Sequence, residues 1–250
     1  MIDSLLLSLP PAYGGAPTWT PPDAKMSVFL PFVTSSAPDP ADLQLIDSFE
    51  PVMLSLLPAP GEAVHAEALL ALCMGDGLLE VLEWSSEGTG ADPAASMWLA
   101  ALRWHHVITG RFPPGAPQPP PRPTSHALRR IVDAAAVELV PGSAGTSLAG
   151  LASGDMGSPR APAQPEAEDD AALLRIVPIS ALPYVETPMK QDWAAQAICL
   201  THGHPRLVRD AQQRAGQPPG APAPGPKHEL LQLVVEDLGR RWRETTLPRR

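Results

Sequence analysis

A dense group of acidic residues lies in the second half of the chain: Glu166, Glu168, Asp169 and Asp170. Carboxylate oxygens are the ligands that Mg²⁺ prefers in proteins, so such a group can form a metal site. This group also adjoins a stretch rich in Pro and Ala, and a charged run in that setting is usually solvated. We therefore interpret it as the solvated end of a linker, with a metal site as the alternative.

Two histidine-containing segments are the next candidates for chemistry. His105 and His106 lie on a predicted helix, where adjacent side chains point in different directions, and no third ligand follows at helical spacing. They do not predict a metal site. His202, in the segment THGHP, either contacts a ligand or ends a helix whose C-terminal dipole favours a cation. Both interpretations of His202 stay open.

Three further charged residues lie within apolar, helix-favouring segments. Arg175 stands alone in an apolar run, so it either pairs with a buried carboxylate such as Glu80 or Glu83 or reaches a ligand cleft. Glu67 and Asp76 are interpreted as solvated helix residues, with metal coordination as the alternative.

Helices are predicted to position these residues. The clearest begins with Asp92 as N-cap and Pro93 at the first helical position, continues to about Val107 and is closed by Gly110. The other helical patterns cover residues 62–84, 125–140, 187–200 and 228–243. In the first of these, Gly75 and Gly77 mark either a break or a close helix contact. Because β-branched and aromatic residues are sparse, we predict an all-α fold.

Composition narrows the class of protein. A net charge of −9 without any long Lys/Arg run argues against a nucleic-acid surface. The chain contains 33 prolines and 19 glycines, unevenly spread, and three stretches rich in Pro, Gly and Ala are predicted to be flexible spacers: 113–124, 159–168 and 216–227.

The cellular compartment is predicted from what the sequence lacks. No apolar run approaches the length of a membrane span, and Pro10 and Pro11 cut the N-terminal apolar run too short for a signal peptide. Cys73 and Cys199 lie in apolar segments without a neighbouring ligand, which indicates reduced core residues. We expect a cytoplasmic protein that does not contact membranes.

Four segments carry a resemblance to a known family. They are ALLALCMGDGLLEVLEW with the following helix up to Gly115, PGSAGTSLAGLASGDMGSP at 141–159, LRIVP at 174–178 and THGHP at 201–205. In this order they resemble the ADP-ribosylglycohydrolases, of the dinitrogenase reductase-activating glycohydrolase type. The resemblance implies an all-helical fold that binds a pair of divalent cations, usually Mg²⁺, and hydrolyses the bond joining ADP-ribose to a modified group.

The acidic motifs on which that chemistry depends are degraded. The family's Thr-Asp-Asp-Thr corresponds to residues 65–68, where only Glu67 keeps a carboxylate. The family's glycine-rich diphosphate loop corresponds to 165–172, which carries added carboxylates instead. Its Gly-Asp-Ala-Leu-Gly motif and its second acidic motif have no counterpart. The resemblance thus implies one degenerate domain over 1–250, a helical bundle lacking part of the family core, with Pro-rich spacers.

We therefore expect a catalytically inactive protein that acts in binding or regulation, with no catalytic residue and with Glu67 as a remnant metal ligand. The residues that the resemblance assigns to ligand binding are Asp170, Ala171, Arg175, Thr201 and His202. No cofactor is expected, except Mg²⁺ if the ancestral site is partly retained. Expected partners are ADP-ribose or an ADP-ribosylated target, a protein, or a second copy of the chain.

Two further expectations depend on the lost segment. If the last helix is incompletely covered, Leu238 and Trp242 are candidates for a protein-binding surface. The alternative function is an active Mg²⁺-dependent hydrolase with a rearranged site, and it requires Glu67, Asp169, Asp170 and His202 to converge in one cleft.

Overall fold

The computed structural model of the protein describes residues 39–220, 223 and 225–247. The predicted all-α fold is confirmed: the described residues form helices and only isolated bridges, with no strand. The first ten residues, for which we predict no signal peptide, lie outside the described residues. In chain order the elements are α1 (Pro40–Leu54), α2 (Ala66–Ser86), α3 (Pro93–Thr109), α4 (Pro123–Asp133), α5 (Gly145–Leu151), a 3₁₀ helix (Asp170–Ile176), α6 (Val177–Ser180), α7 (Thr187–Cys199), α8 (Pro205–Ala215) and α9 (Glu229–Thr246).

Helix α2 lies at the centre of the bundle, in contact with α3, α4, α6, α9 and the 3₁₀ helix. It is unbroken, so the two glycines mark close contacts. A Cβ added at Gly77 would lie 2.8 Å from the Ala100 Cβ of α3, and one at Gly75 would lie 3.3 Å from a methyl carbon of Leu238 in α9. These small residues let two helices approach α2 on different sides.

Helix α3 forms as the sequence predicts. The Asp92 carboxylate accepts hydrogen bonds from the backbone N–H groups of Ala94 and Ala95, at 2.9 and 3.3 Å. Gly110 ends the helix in the left-handed conformation, with φ of 78°. Local capping signals were therefore sufficient to define this element.

The helix predicted over 125–140 is wrong in its second half, because α4 ends at Asp133. Ala135 adopts a left-handed conformation with φ of 49°, and the Ala136 N–H donates to the Ile131 carbonyl, which closes the helix. The chain then runs beside Val64, whose N–H donates to Glu138 and whose carbonyl accepts from Val140.

The apolar stripe of α9 is covered at Leu238 and Trp242, so the condition for a protein-binding surface at these two residues is not met. Both side chains are inaccessible to solvent. Helix α1, which the sequence patterns did not predict, packs on α9, and its Phe49 ring stacks on Trp242 with centroids 3.8 Å apart. Oligomerisation of the chain stays a prediction.

Two of the three predicted spacers contact the bundle. In spacer 113–124, Pro113 and Pro119 are buried and the Pro120 carbonyl accepts from Arg103 at 2.9 Å. In spacer 159–168, the Gln164 amide donates to the carbonyls of Thr146 and Thr201. The flexibility of the spacers stays a prediction.

Two predictions from composition can be compared with this fold. Cys73 and Cys199 are buried and free, as expected of core residues. No helix in the described part of the chain is long and apolar enough to cross a bilayer.

Candidate functional site

Five polar side chains meet in the interior of the bundle and form what we call the buried network. They are contributed by the first turn of α2, by α5, by the 3₁₀ helix and by the turn after α7. Each is at most 1% exposed. The members are Glu67, Ser147, Arg175, Thr201 and His202.

An ion pair between Arg175 and Glu67 forms the centre of the network. Arg175 Nη2 lies 2.9 and 2.8 Å from the two carboxylate oxygens of Glu67. The same nitrogen donates to the Ser147 hydroxyl at 2.6 Å, and that hydroxyl in turn donates to Glu67 Oε1. The carboxylate is therefore neutralised within the protein.

The structure corrects two interpretations of these residues. Arg175 does pair with a buried carboxylate, but the partner is Glu67, and the suggested partners Glu80 and Glu83 were wrong. Glu67 is not a solvated helix residue, because even the first turn of α2 is buried. A helix that is apolar on all sides has no solvent face, so its periodicity cannot show where a charge points.

A second branch of the network links Arg175 to His202. Arg175 Nη1 donates to the Thr201 hydroxyl at 2.7 Å, and that hydroxyl lies 2.7 Å from His202 Nδ1. The hydroxyl can accept a second hydrogen bond or donate its own proton, so the direction of this contact follows the tautomer of His202. The other ring nitrogen, Nε2, has no hydrogen-bond partner in the described part of the chain.

Burial and the neighbouring Arg175 cation lower the pKa of His202 to about 4, against the opposing effects of Glu67 and Asp169. The imidazole is therefore neutral at neutral pH. It lies at the edge of the ion pair, and it does not supply a positive charge to an anionic ligand.

The depressed pKa predicts how stability depends on pH. In the unfolded chain His202 regains an ordinary pKa near 6.5, so between that value and about 4 the unfolded state binds more protons. Stability from this group is present above the unfolded pKa and falls as pH decreases through this window, by at most about 3 kcal/mol. Urea unfolding of the wild type across this pH range measures the loss.

The control for this prediction is His202→Asn, whose amide can replace the hydrogen bond at Nδ1 but does not titrate. Carboxylates that titrate in the same range affect both proteins alike. The stability difference between wild type and variant should therefore shrink as pH falls, and a difference that is independent of pH would contradict the prediction.

Among the described residues, the acidic group at 166–170 forms no hydrogen bond or ion pair with the buried network, although Asp169 is near enough to raise the pKa of His202. Asp169 caps the 3₁₀ helix by accepting from the Ala171 N–H at 3.1 Å. Asp170 is exposed and pairs with Arg206 of α8 at 2.9 Å, and Glu168 contacts the same arginine at 3.4 Å. This exposure agrees with the interpretation as a solvated linker end.

Of the five residues assigned to ligand binding, Arg175, Thr201 and His202 thus lie together, whereas Asp170 and Ala171 do not join them.

A second cluster of charges, which sequence reasoning missed, surrounds Asp76. This carboxylate is 2% exposed and was wrongly interpreted as solvated. It accepts from Arg122 at 3.0–3.1 Å, from Arg241 at 2.8 Å and from the Thr124 N–H at 3.2 Å. Burial by itself would raise the pKa of Asp76, but the two guanidiniums hold it below the ordinary value. No local signal identifies partners 46 and 165 residues away.

Glu80 and Glu83 belong to this second cluster. Glu80 lies 3.3 Å from Arg103, and Glu83 lies 2.9 Å from Arg122. The carboxylates of α2 therefore anchor the spacer 113–124 and helix α9. They hold elements together and are not free for a ligand.

The residues at the expected metal position do not fit a pair of Mg²⁺ ions. Glu67 contributes one carboxylate whose two oxygens face a guanidinium, and a guanidinium repels a divalent cation. Within residues 39–220, 223 and 225–247, no group of three or more His, Cys, Asp or Glu side chains has a geometry that could hold a metal ion. No protein-family model, curated protein or solved structure matches this chain.

Proposed function

We propose that the chain is a degenerate relative of the ADP-ribosylglycohydrolases that has lost metal-dependent hydrolysis and acts as a binding or regulatory protein. The four sequence segments that resemble the family support the relationship. The observation that carries the loss of hydrolysis is the ion pair between Arg175 and Glu67, at the position that corresponds to the family's first acidic motif.

The ion pair explains why the remaining carboxylate is a poor metal ligand. Mg²⁺ requires several oxygen ligands in near-octahedral array. Binding the ion at Glu67 would require Arg175 to move, which leaves a guanidinium without its counter-ion in a fully buried position. The energetic cost of that separation opposes metal binding.

The network has a structural role in this proposal. It joins α2, α5, the 3₁₀ helix and the turn after α7 through side chains that bond to one another. These side chains are inaccessible to a ligand while the network is intact. Recognition of an ADP-ribosylated target or of a protein would therefore use the surface of the bundle.

Calorimetric titration of the full chain with ADP-ribose, with and without Mg²⁺, tests this proposal. We expect no binding that depends on Mg²⁺, because a single neutralised carboxylate cannot hold the ions. Binding that is independent of Mg²⁺ would indicate a ligand surface retained without the metal site. Absence of binding in both conditions would direct the search to protein partners.

Tight Mg²⁺-dependent binding would contradict the proposal and favour the alternative, an active hydrolase with a rearranged site. Glu67→Gln is the matched variant, since it keeps the shape of the side chain and removes its charge. Mg²⁺-dependent binding that disappears in this variant would assign the metal to Glu67, and release of ADP-ribose from a modified protein would then be measured.

A further inference from the structure

A cavity of about 180 Å³ lies between the end of α3, the spacer 113–124 and helix α4. Its lining includes Arg103 and His106 from α3, Phe112 from the connecting loop, and His126 and Arg129 from α4. None of these residues belongs to the buried network, so a ligand bound in this cavity would not depend on the proposed function.

The lining contains hydrogen-bond donors and no carboxylate, and its two arginines pair with Glu80 and Asp133 outside the cavity. Arg103 is only 5% exposed, and its Nε and Nη1 atoms donate to Pro120 and Glu80 at 2.9 and 3.3 Å. Its Nη2 atom has no partner in the described part of the chain. Arg103 Nη2 is not among the fully enclosed side-chain atoms, so it keeps contact with solvent and can donate to a ligand in the cavity.

The two histidines add to the same chemistry. Neither the His106 nor the His126 ring has a hydrogen bond to another described residue, so both can donate to a ligand. Arg129 donates hydrogen bonds to the His106 and Val107 carbonyls and to the Asp133 carboxylate. Asp133 does not belong to the lining. These groups favour an anion.

The remaining walls of the cavity are apolar, and their shape suits a planar ring. The His106 and Phe112 rings stack with centroids 4.7 Å apart and planes inclined by 11°, and Pro119 and Pro121 complete the lining. An apolar cavity of roughly 150 Å³ is known to hold one benzene molecule, so the space here suits a single ring.

We infer that this cavity binds a small flat ring that carries an oxyanion, either a carboxylate or a phosphate. The ring packs against the aromatic and proline wall, and the oxyanion accepts from Arg103 Nη2 and from the two imidazoles. Charge-assisted hydrogen bonds of this kind are the stronger class, which is the basis for selectivity over a neutral analogue.

The test is a titration of the isotope-labelled full chain with benzoate, phenyl phosphate and the neutral benzamide, followed by NMR. Saturable shifts are expected at the end of α3 and the start of α4 for the two anions, with binding at least about tenfold tighter than for benzamide. Tighter binding of phenyl phosphate would identify a phosphorylated ligand, and tighter binding of benzoate a carboxylate.

His126→Glu places a carboxylate in the lining and should weaken binding of both anions by about tenfold or more. Arg130→Glu is the matched control, because it changes charge on the same helix outside the lining and should leave binding nearly unchanged. Equal binding of benzoate and benzamide, unchanged binding in the His126 variant, or no binding at millimolar concentration would overturn the inference. If the His126 variant fails to fold, the comparison of probes on the wild type decides.

Discussion

Replacing Arg175 with methionine is expected to lower the free energy of unfolding by about 3–5 kcal/mol. The substitution removes the counter-ion of Glu67, which is 1% exposed and cannot recover its hydration in the folded state. It also leaves the Thr201 hydroxyl without its donor at 2.7 Å. Urea unfolding followed by circular dichroism measures the change.

Two variants show that this effect comes from the buried charge. Arg206→Met removes an arginine that also contacts several carboxylates but lies at the surface, and it should cost far less. The double variant Glu67→Gln with Arg175→Met removes both charges and should recover part of the loss, because no uncompensated ion remains. If Arg175→Met were no more destabilising than Arg206→Met, the ion pair would not be a major source of stability.

Replacing Asp76 with alanine is the second large effect that we expect, with a loss of about 3 kcal/mol. Arg122 and Arg241 would lose their shared acceptor, and the Thr124 N–H would lose its partner at the start of α4. The contacts of α2 with α4 and α9 should loosen together. Urea unfolding measures the loss, and hydrogen exchange of amides in α4 and α9 should become faster.

The control for Asp76 is Glu83→Gln, which removes a carboxylate that contacts the same Arg122 at 2.9 Å. The Glu83 side chain is about a third exposed, so its loss should cost about 1 kcal/mol or less. Equal destabilisation by both variants would show that burial of Asp76 has no special consequence.

The helices with complete local signals were predictable from the sequence, and those with conflicting signals were not. Helix α1 begins with Asp39 and Pro40, the same capping pair that identified α3, but Pro51 within the helix obscured the pattern. Helix α8 is mostly polar and buries only Leu207, Ala211 and Ala215, which is a weak apolar period. Both helices form because neighbouring elements cover their apolar residues.

In the candidate site, the sequence indicated which type of partner a residue needs, but it did not identify that partner. The sequence indicated that Arg175 needs a buried carboxylate, because an isolated buried charge is too costly. It did not identify Glu67, which lies 108 positions away and pairs only because the 3₁₀ helix packs against the start of α2. The position of Asp76 was missed because the apolar composition of α2 conceals which charges are buried.

The all-α class, the capped ends of α3, the amphipathic face of α9 and the burial of Cys73 and Cys199 could all be predicted from the sequence. These properties follow from short-range periodicity and backbone preferences, which neighbouring residues set among themselves. That Arg175 neutralises Glu67, and that Arg241 reaches Asp76, is visible only in the folded bundle. Such pairs depend on how distant helices pack: the cost of burying a charge demands a partner, but the packing selects which one it is.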